Sequence, residues 1–319
     1  MSFIVVGCNG QVGSFLTELF GPAAIPVDRT QLDLSSKKSV EQFFSSFPSF
    51  APNRLGGATS GSTEAAHQPL PSLSTPSSRP TALINCAAFT AVDAAESDTG
   101  ATLNHRVNAV APGWLAQHCQ HMRIPMVHIS TDYVFDGQLP VGQEYSTTHP
   151  VQPVNAYGRA KAEGERAVLH FGGHVVRTAW VYSGPEHPNK DFASTMLRLA
   201  RRGVNPNVVN DQFGRPSHAQ LVASAIKEVA EALADGAALP QVLHATGNGE
   251  PTSWCEFARE VFAATGHDPQ RVSAIPTSEY PTPARRPANS VLSLAEWETW
   301  GLSPLPAWRE TLREKAAVW

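Results

Sequence analysis

Short apolar runs alternate with amphipathic segments along the first 180 residues of the chain. Five runs of mainly aliphatic residues have the length of buried strands: 3–6, 24–27, 82–86, 126–130 and 175–180. Three segments repeat apolar residues at helical spacing: 15–20, 36–47 and 99–121. This alternation predicts an α/β fold with a parallel, doubly wound (Rossmann) sheet.

The rhythm changes after residue 180. The predicted elements there are helix 192–202, short strand 208–209, loop 210–217, helix 218–233, strand 243–246 and a helix from Ser253 to Ala264. We therefore predict a Rossmann domain over residues 1–180 and a smaller mixed α/β domain over residues 181–319. The helix at 218–233 is expected to return to the first domain and to pack on its sheet.

Residues 48–80 differ from the rest of the chain in composition. Of these 33 residues, 19 are Ser, Pro, Gly or Thr. A segment of this composition buries too little apolar surface to fold by itself. We expect a low-complexity surface insertion inside the first domain, because a long loop between two strands costs little stability.

The bulk composition narrows the class of protein. The chain has 319 residues, 42% hydrophobic and 16% charged, with a net charge of −4, which is typical of a globular protein. No basic face indicates a nucleic-acid partner, and no apolar run has the length of a membrane span or signal peptide. Four separated cysteines favour a reducing compartment, and the twelve histidines lack metal-ligand spacing. We expect a cytoplasmic protein without a metal site.

Three glycines follow the first predicted strand directly. Gly7, Gly10 and Gly13 stand three residues apart, before a helical segment. Glycine allows a tight turn and the close approach of a phosphate, and the N-terminus of the next helix attracts anions. Their position after a first strand favours a dinucleotide site over an ordinary glycine turn.

The second predicted strand ends in charged residues. Asp28 lies about twenty residues after the first glycine, where a carboxylate would bind the ribose hydroxyls of NAD. Arg29 could instead meet the 2′-phosphate of NADP, so both cofactors stay open. Asp33 precedes the helical segment that begins at Ser36. It is either a neighbour of the adenine or ribose, or a helix-capping carboxylate.

The next two strands also end in candidate residues. Ala87 and Ala88 are small enough for a flat cofactor to lie across the sheet, although simple helix–sheet packing also explains them. Thr131 could bond a substrate carbonyl or cap its strand. Asn108, in the predicted helix 99–121, holds local backbone or a water if it faces the sheet, and is otherwise solvated.

Tyr157 and Lys161 stand four residues apart in a helix for which Asn155 is the candidate N-cap. They share one helix face, where an ammonium would bring the pKa of the phenol toward neutrality. Such a pair could exchange a proton with a carbonyl or alcohol oxygen. Alone the spacing favours a solvated lysine beside an amphipathic tyrosine, so the catalytic interpretation depends on the rest of the chain. Tyr157 and Lys161 in turn favour the substrate-bonding interpretation of Thr131 over the strand-end cap.

Seven segments together resemble one family of enzymes. They are GCNGQVG (7–13), NCAAFTAVDAAE (85–96), STDYVFDG (130–137), NAYGRAK (155–161), RTAWVY (177–182), NDQFGRP (210–216) and PTPARRPANS (281–290). The first four resemble the extended short-chain dehydrogenase/reductases, and the last three resemble more specifically the dTDP-4-dehydrorhamnose reductase family. The insertion at 48–80 is a departure from the family. Ser217, where the family usually has threonine, is a milder one.

The resemblance implies that Thr131, Tyr157 and Lys161 form a catalytic triad. The expected cofactor-binding residues are Gly7, Gly10, Gln11, Val12, Gly13, Asp28, Arg29, Asp33, Leu34, Ala87, Ala88, Phe89 and Asn108, with Tyr157 and Lys161. By the resemblance, Thr131, Asp132 and Trp180 lie near the sugar nucleotide. Arg215, Arg286 and Asn289 are expected to bind its phosphates and sugar hydroxyls.

The implied reaction is reduction of the C4 ketone of dTDP-4-dehydro-β-L-rhamnose to dTDP-L-rhamnose by NADPH or NADH. Tyr157 would donate the proton, Lys161 would lower the pKa of Tyr157 and bind the nicotinamide ribose, and Thr131 would polarise the carbonyl. The resemblance alone implies a homodimer and, in some relatives, Mg²⁺ at the dimer contact. No cluster in the sequence names ligands for such an ion.

Two other functions stay open on the sequence. One is a different nucleotide-sugar oxidoreductase or epimerase with the same triad. The other is a non-catalytic regulatory subunit, since the resemblance extends to the β subunit of methionine adenosyltransferase. The segments 210–216 and 281–290 resemble the substrate loops of the reductases, and they favour the reductase.

Overall fold

The computed structural model describes residues 1–47, 79–185, 187 and 191–319. The predicted insertion at 48–80, except for its last two residues, lies outside this description. Among the described residues, no helix is both long enough and apolar enough to cross a membrane.

Six parallel strands form the central sheet. They are β1 (Phe3–Val6), β2 (Ala24–Val27), β3 (Ala82–Asn85), β4 (Met126–Thr131), β5 (His174–Thr178) and β10 (Val242–His244). Their order across the sheet is β10-β5-β4-β3-β1-β2. The chain moves from β1 to one neighbour and then crosses to the other, so the connections leave a crevice above the carboxyl ends of β1 and β3.

Helices cover both faces of this sheet. One face carries α1 (Gln11–Phe20) and α7 (Ala219–Ala234), and the other carries α2 (Lys37–Ser45), α4 (Ala111–Met122) and α5 (Ala156–His170). Each helix turns an apolar stripe to the sheet, for example Leu16 of α1 and Ile226 of α7. The predicted doubly wound α/β sheet is confirmed.

The predicted helix 99–121 is interrupted in its middle. It consists of α3 (Asp98–Asn104), one π-helical segment at His105–Val110, and α4. Pro112 has no N–H to offer the carbonyl of Asn108, so regular α-helical bonding fails at this point. The interruption places Asn108 beside the crevice.

The smaller elements of the C-terminal half enclose their own apolar cluster. They include α6 (Phe192–Arg201), α8 (Trp254–Ala264) and α10 (Trp308–Ala316). Short two-residue and three-residue strands pair around them: β6 (Val181–Tyr182) with β9 (Ser217–His218), β7 (Asn207–Val209) with β12 (Ser273–Ile275), and β8 (Phe213–Gly214) with β11 (Thr252–Ser253). The loop predicted at 210–217 therefore contains two short strands.

The division predicted at residue 180 needs a correction. α7 packs against α1 as expected, but β10 also joins the main sheet, where Val242 pairs with Val175 of β5. The short helix α9 (Ala295–Thr299) contributes Trp297 to the same core. Residues 181–319 thus complete the Rossmann sheet as well as forming the smaller unit. The sequence did not indicate this, because nothing in a three-residue apolar strand shows to which sheet it belongs.

Candidate active site

A crevice of about 770 Å³ lies above the carboxyl ends of the central strands. Predicted site residues that line it are Gly7, Gly10, Gln11, Val12, Asp28, Arg29, Asp33, Leu34, Ala87, Ala88, Phe89, Thr131, Asp132, Tyr157, Lys161 and Trp180. These residues lie at the carboxyl end of β4, in the loops that follow the strands, and in the first turns of α1 and α5. Residues that are up to 173 positions apart in sequence (Gly7 and Trp180) line one crevice because all these strands point the same way.

The glycine segment forms a tight cradle at one end of the crevice. Gly7 has φ +80°, a conformation that favours glycine, and a Cβ on Gly13 would lie 2.2 Å from the Gly7 carbonyl oxygen. Gly13 therefore supports the turn from behind, whereas Gly10 and Gln11 face the crevice. Gly10 is the N-cap of α1 and, in the described structure, no side chain caps that helix. The free N–H groups and the helix dipole suit a pyrophosphate.

Charged residues stand at the far end of the cradle. The Oδ1 atom of Asp28 accepts hydrogen bonds from the Thr30 hydroxyl at 2.6 Å and the Thr30 N–H at 2.8 Å. These bonds lower the pKa of Asp28, so its carboxylate is charged at neutral pH. Arg29 beside it is exposed.

Asp33 is held in a similar way. It accepts from the Ser35 hydroxyl and N–H, which lower its pKa, and it does not cap the next helix. Ser36 caps α2 instead, through the N–H of Ser39. Of the two interpretations offered by the sequence, the position of Asp33 in the crevice favours the cofactor neighbour over the cap.

Asn108 supports the wall of the crevice from behind. Its buried amide accepts from the N–H of Phe89 at 3.0 Å and donates to the carbonyl of Phe89 at 2.8 Å. The side chain of Asn104 accepts a further bond from it. Asn108 does not line the crevice in the described structure, so the predicted direct cofactor contact is revised to a support of Phe89.

Thr131, Tyr157 and Lys161 line another part of the crevice. The Asn155 side chain caps α5 by accepting from the N–H of Gly158 at 2.8 Å, as predicted. A Cβ on Gly158 would lie 2.1 Å from the carbonyl oxygen of Tyr133, so glycine lets α5 approach the turn after β4. This close approach brings Tyr157 beside Thr131.

The electrostatics of the pair differ from the sequence-based expectation. Burial raises the pKa of Tyr157, the charge of Asp132 raises it further, and only the Thr131 hydroxyl acts in the opposite direction. Lys161 does not lower it in this arrangement. Its Nζ atom donates to the carbonyl of Ile129 at 2.6 Å and lies 3.1 Å from Nε2 of His128. Burial lowers the pKa of Lys161 itself to about 8.

Asp132 brings a buried carboxyl group to the same part of the crevice. Its Oδ1 atom accepts from the Thr131 hydroxyl at 2.9 Å, while Oδ2 has no partner among the described residues. Burial raises the pKa of Asp132 to about 6, although the hydroxyls of Ser290 and Thr131 oppose this.

The four other predicted substrate residues divide into two groups. Trp180 lines the crevice, with a strained φ of +48° and its ring stacked on Trp254 at 3.6 Å. Arg286 does not line the crevice in the described structure, contrary to the prediction; it lies near Tyr133 and makes a two-bond ion pair with Asp93. Arg215 and Asn289 need a correction, because they are buried and do not line the crevice in the described structure.

Arg215 and Asn289 instead hold loops together. Arg215 donates to the carbonyls of Gly249 and Leu292 and pairs with Glu144. The amide of Asn289 donates to three carbonyls of the 139–143 loop. Polarity alone suggested ligand contacts, but buried backbone carbonyls are equally strong partners for such groups.

Several residues of the crevice were missed by the sequence analysis. Thr178 and Ser130 line it, and their hydroxyls have no partner among the described residues. Thr178 ends β5 as Thr131 ends β4, so the same strand-end rule could have found it. The strand-end rule could not have found His128, because this residue lies in the interior of β4. Within the described ranges, no three His, Cys, Asp or Glu side chains cluster as a metal site would require.

The fold and this crevice are typical of a Rossmann-type oxidoreductase that uses a nicotinamide cofactor. Residues 1–318 match the family described as RmlD substrate binding domain, and the chain belongs to that family. A dTDP-4-dehydrorhamnose reductase of Burkholderia thailandensis is 37% identical, over 97% of this chain and 96% of the relative.

Two further relatives bear on the chemistry. A Streptomyces niveus protein named dTDP-4-keto-6-deoxy-D-glucose reductase is 37% identical over 74% of this chain and 78% of its own length. The crystal structure of dTDP-4-dehydrorhamnose reductase from Bacillus anthracis in complex with NADP is 27% identical, with a TM-score of 0.81 over the whole of both chains.

Proposed function

We propose that the chain reduces the C4 ketone of dTDP-4-dehydro-β-L-rhamnose to the alcohol of dTDP-L-rhamnose, with NADPH or NADH as reductant. One observation carries this proposal: the glycine cradle and the Thr131–Tyr157–Lys161 group line the same crevice. The cradle fits a pyrophosphate, and a dinucleotide lying from Gly10 toward Tyr157 would place its far end beside these three side chains. A reduced nicotinamide bound there would supply hydride to the ketone carbon.

Tyr157 is suited to donate the proton in this reaction. Its raised pKa keeps the phenol protonated through the neutral range. An alkoxide that develops on the substrate is a much stronger base than a phenolate, so it can take this proton. The Thr131 hydroxyl beside Tyr157 can turn its single hydrogen from Asp132 to the same oxygen and polarise the carbonyl before transfer.

Asp28 and Arg29 are proposed to make the chain accept both nicotinamide cofactors. The charged carboxylate of Asp28 is placed to accept from the two ribose hydroxyls of NADH. Arg29 is exposed at the same end and can pair with the 2′-phosphate of NADPH. Arg29→Ala should therefore raise KM for NADPH and leave KM for NADH nearly unchanged.

The decisive test is loss of nicotinamide absorbance with freshly generated dTDP-4-dehydro-L-rhamnose, run in parallel with NADPH and NADH. Rapid oxidation together with dTDP-L-rhamnose as product supports the proposal and ranks the cofactors. If the protein binds cofactor but does not oxidise it with this substrate, the proposed substrate is wrong.

A second substrate has specific support. The Streptomyces niveus relative is named for a different sugar, dTDP-4-keto-6-deoxy-D-glucose, and is as identical to this chain as the Burkholderia relative. Product analysis with both keto sugars separates the two activities. A higher kcat/KM for the glucose-derived ketone would assign the chain to that reaction.

A further inference from the structure

Lys161 is held at the back of the crevice by a chain of buried polar groups. Its side chain is 1% exposed, and those of His128 and Asn85 are fully buried. Nζ of Lys161 lies 3.1 Å from Nε2 of His128, and Nδ1 of His128 lies 3.0 Å from the Asn85 amide nitrogen. The three side chains come from α5, β4 and β3 and form one continuous line.

The backbone sets the direction of this line. The N–H of Ala87 donates to Oδ1 of Asn85 at 3.1 Å. A backbone N–H is always a donor, so the amide oxygen must face Ala87 and the amide NH₂ must face His128. Nδ1 of His128 is therefore an acceptor. A neutral imidazole carries one hydrogen, and in this arrangement that hydrogen is on Nε2.

The Nε2–H group points at Lys161. An ammonium has three donors and no acceptor, so it cannot accept this hydrogen, whereas a neutral amine accepts it through its lone pair. The amine still has hydrogens to donate to the Ile129 carbonyl at 2.6 Å. Every group in the line is then satisfied, which a buried polar line requires.

We propose that Asn85 and His128 are positioning residues that hold Lys161 as a neutral amine against His128, and that protonation releases Lys161 toward Tyr157. The inference deepens the proposed function, on which it rests. It gives Lys161 two positions with two charges: the amine lies against His128 at the back of the crevice, and the ammonium faces the reacting groups.

The charged surroundings of Lys161 agree with this arrangement. Glu165, one turn further along α5, favours the ammonium, but Arg177 of β5 already binds its carboxylate with two hydrogen bonds. Cys86 after β3 also favours the ammonium, yet burial prevails and lowers the pKa of Lys161 to about 8. Burial, and secondarily Lys161, hold the pKa of His128 well below its ordinary value, so the imidazole is neutral.

The tautomer of His128 tests the proposal without reference to catalysis. Nitrogen NMR of the full chain with ¹⁵N-labelled histidine distinguishes the two tautomers, and loss of one signal in His128→Gln assigns the residue. We expect His128 as the Nε2–H tautomer at neutral pH. A protonated Nδ1 would overturn the proposal. This readout needs neither cofactor nor substrate, so it holds even if the proposed substrate is wrong.

The pH profile of kcat tests the consequence for the reaction. In His128→Gln the side-chain oxygen can accept from an ammonium, so the basic limb should move upward by about one pH unit, the size expected for one hydrogen bond to a charge. His244→Gln is the matched control, because His244 is equally buried but bonds the carbonyl of Ser293 instead. An unmoved limb in a folded His128→Gln protein contradicts the proposal.

Discussion

Tyr157 shows how burial can replace a neighbouring charge in preparing a residue for its task. The sequence suggested that Lys161 would lower the pKa of the Tyr157 phenol. Burial instead raises that pKa and keeps the phenol protonated. A residue that donates a proton to a developing alkoxide must itself be protonated at neutral pH.

Tyr157→Phe should lower kcat by about 10²–10⁴-fold, because general acid catalysis is typically worth that much. The phenyl ring keeps the packing, so the dissociation constant for NADPH should change little. Steady-state oxidation rates and fluorescence titration with cofactor measure the two quantities. Near-complete activity in Tyr157→Phe would assign the proton to another donor.

Asp132 makes a pH-dependent contribution to stability whose sign follows from its pKa. The folded pKa of about 6 lies above the ordinary value for an aspartate, so the stabilisation from Asp132 is present at low pH and is lost as pH rises through 6. Above that pH the protein holds a buried carboxylate with one oxygen unpartnered among the described residues.

Asp132→Asn should therefore stabilise the protein at pH 8, by up to about 3 kcal/mol, and the gain should disappear near pH 4. Melting temperatures across this range measure it. Asp98→Asn, at an exposed position, is the control for the replacement of a carboxylate by an amide. A gain that is equal at both ends of the range would rule out the titration of Asp132 as its cause.

At the scale of elements, α8 supports the crevice through one aromatic contact. Trp254 begins α8, and its ring lies parallel to that of Trp180 within 7°. Trp180 holds a left-handed backbone conformation in the link between β5 and β6, so the stacking partner helps to fix a strained wall residue.

Trp254→Leu should raise KM for the sugar nucleotide about two- to tenfold, since aromatic pairs contribute roughly 0.5–1.5 kcal/mol beyond their buried area. Cofactor affinity should stay the same. The coupled tryptophan band in far-ultraviolet circular dichroism should disappear, which reports the stack independently of activity. An unchanged KM after loss of this band would remove Trp180 from substrate binding.

A buried ion pair joins α5 to β5. Arg177 and Glu165 are 3% and 2% exposed, and they share two hydrogen bonds of 2.9 Å and 2.7 Å. A buried pair of this kind contributes little over an apolar substitute, but removal of one partner leaves a desolvated charge.

Glu165→Gln should lower the free energy of unfolding by about 3–5 kcal/mol, because the Arg177 charge stays buried without its partner. Denaturant titration measures the loss. Glu163→Gln, on the exposed face of the same helix, is the matched control and should change stability by less than about 1 kcal/mol. Equal effects in the two variants would contradict the distinction.

At the scale of the whole molecule, the central sheet depends on both halves of the chain. Val222, Ile226 and Val229 of α7 share one apolar core with α1, and β10 covers the edge of β5. A fragment that ends at residue 180 would expose this core and an unpaired strand edge.

We expect the fragment 1–180 to be unfolded or aggregated, while the full chain unfolds cooperatively. Expression of both, followed by thermal unfolding monitored by circular dichroism, makes the comparison. A soluble fragment with its own cooperative transition would show that the first 180 residues form an independent unit after all.

The local pattern of the sequence determined the elements and most of the crevice. Strand ends in a parallel sheet share one edge, so Gly10 and Thr131 could be assigned to one site from their positions after β1 and at the end of β4, and the family resemblance added Tyr157. The segments that resemble the reductase family added the reaction. These features are local in sequence or common to the family, so they can be predicted without knowledge of long-range contacts.

Only the tertiary structure decided the partners of individual polar groups. Arg215 and Asn289 could have bound ligand or backbone, and burial against loop carbonyls settled the matter. The position of β10 and the contact between His128 and Lys161 likewise depend on residues far apart in sequence. The sequence shows which polar groups need hydrogen-bond partners. The tertiary packing that removes these groups from water decides which partners they have.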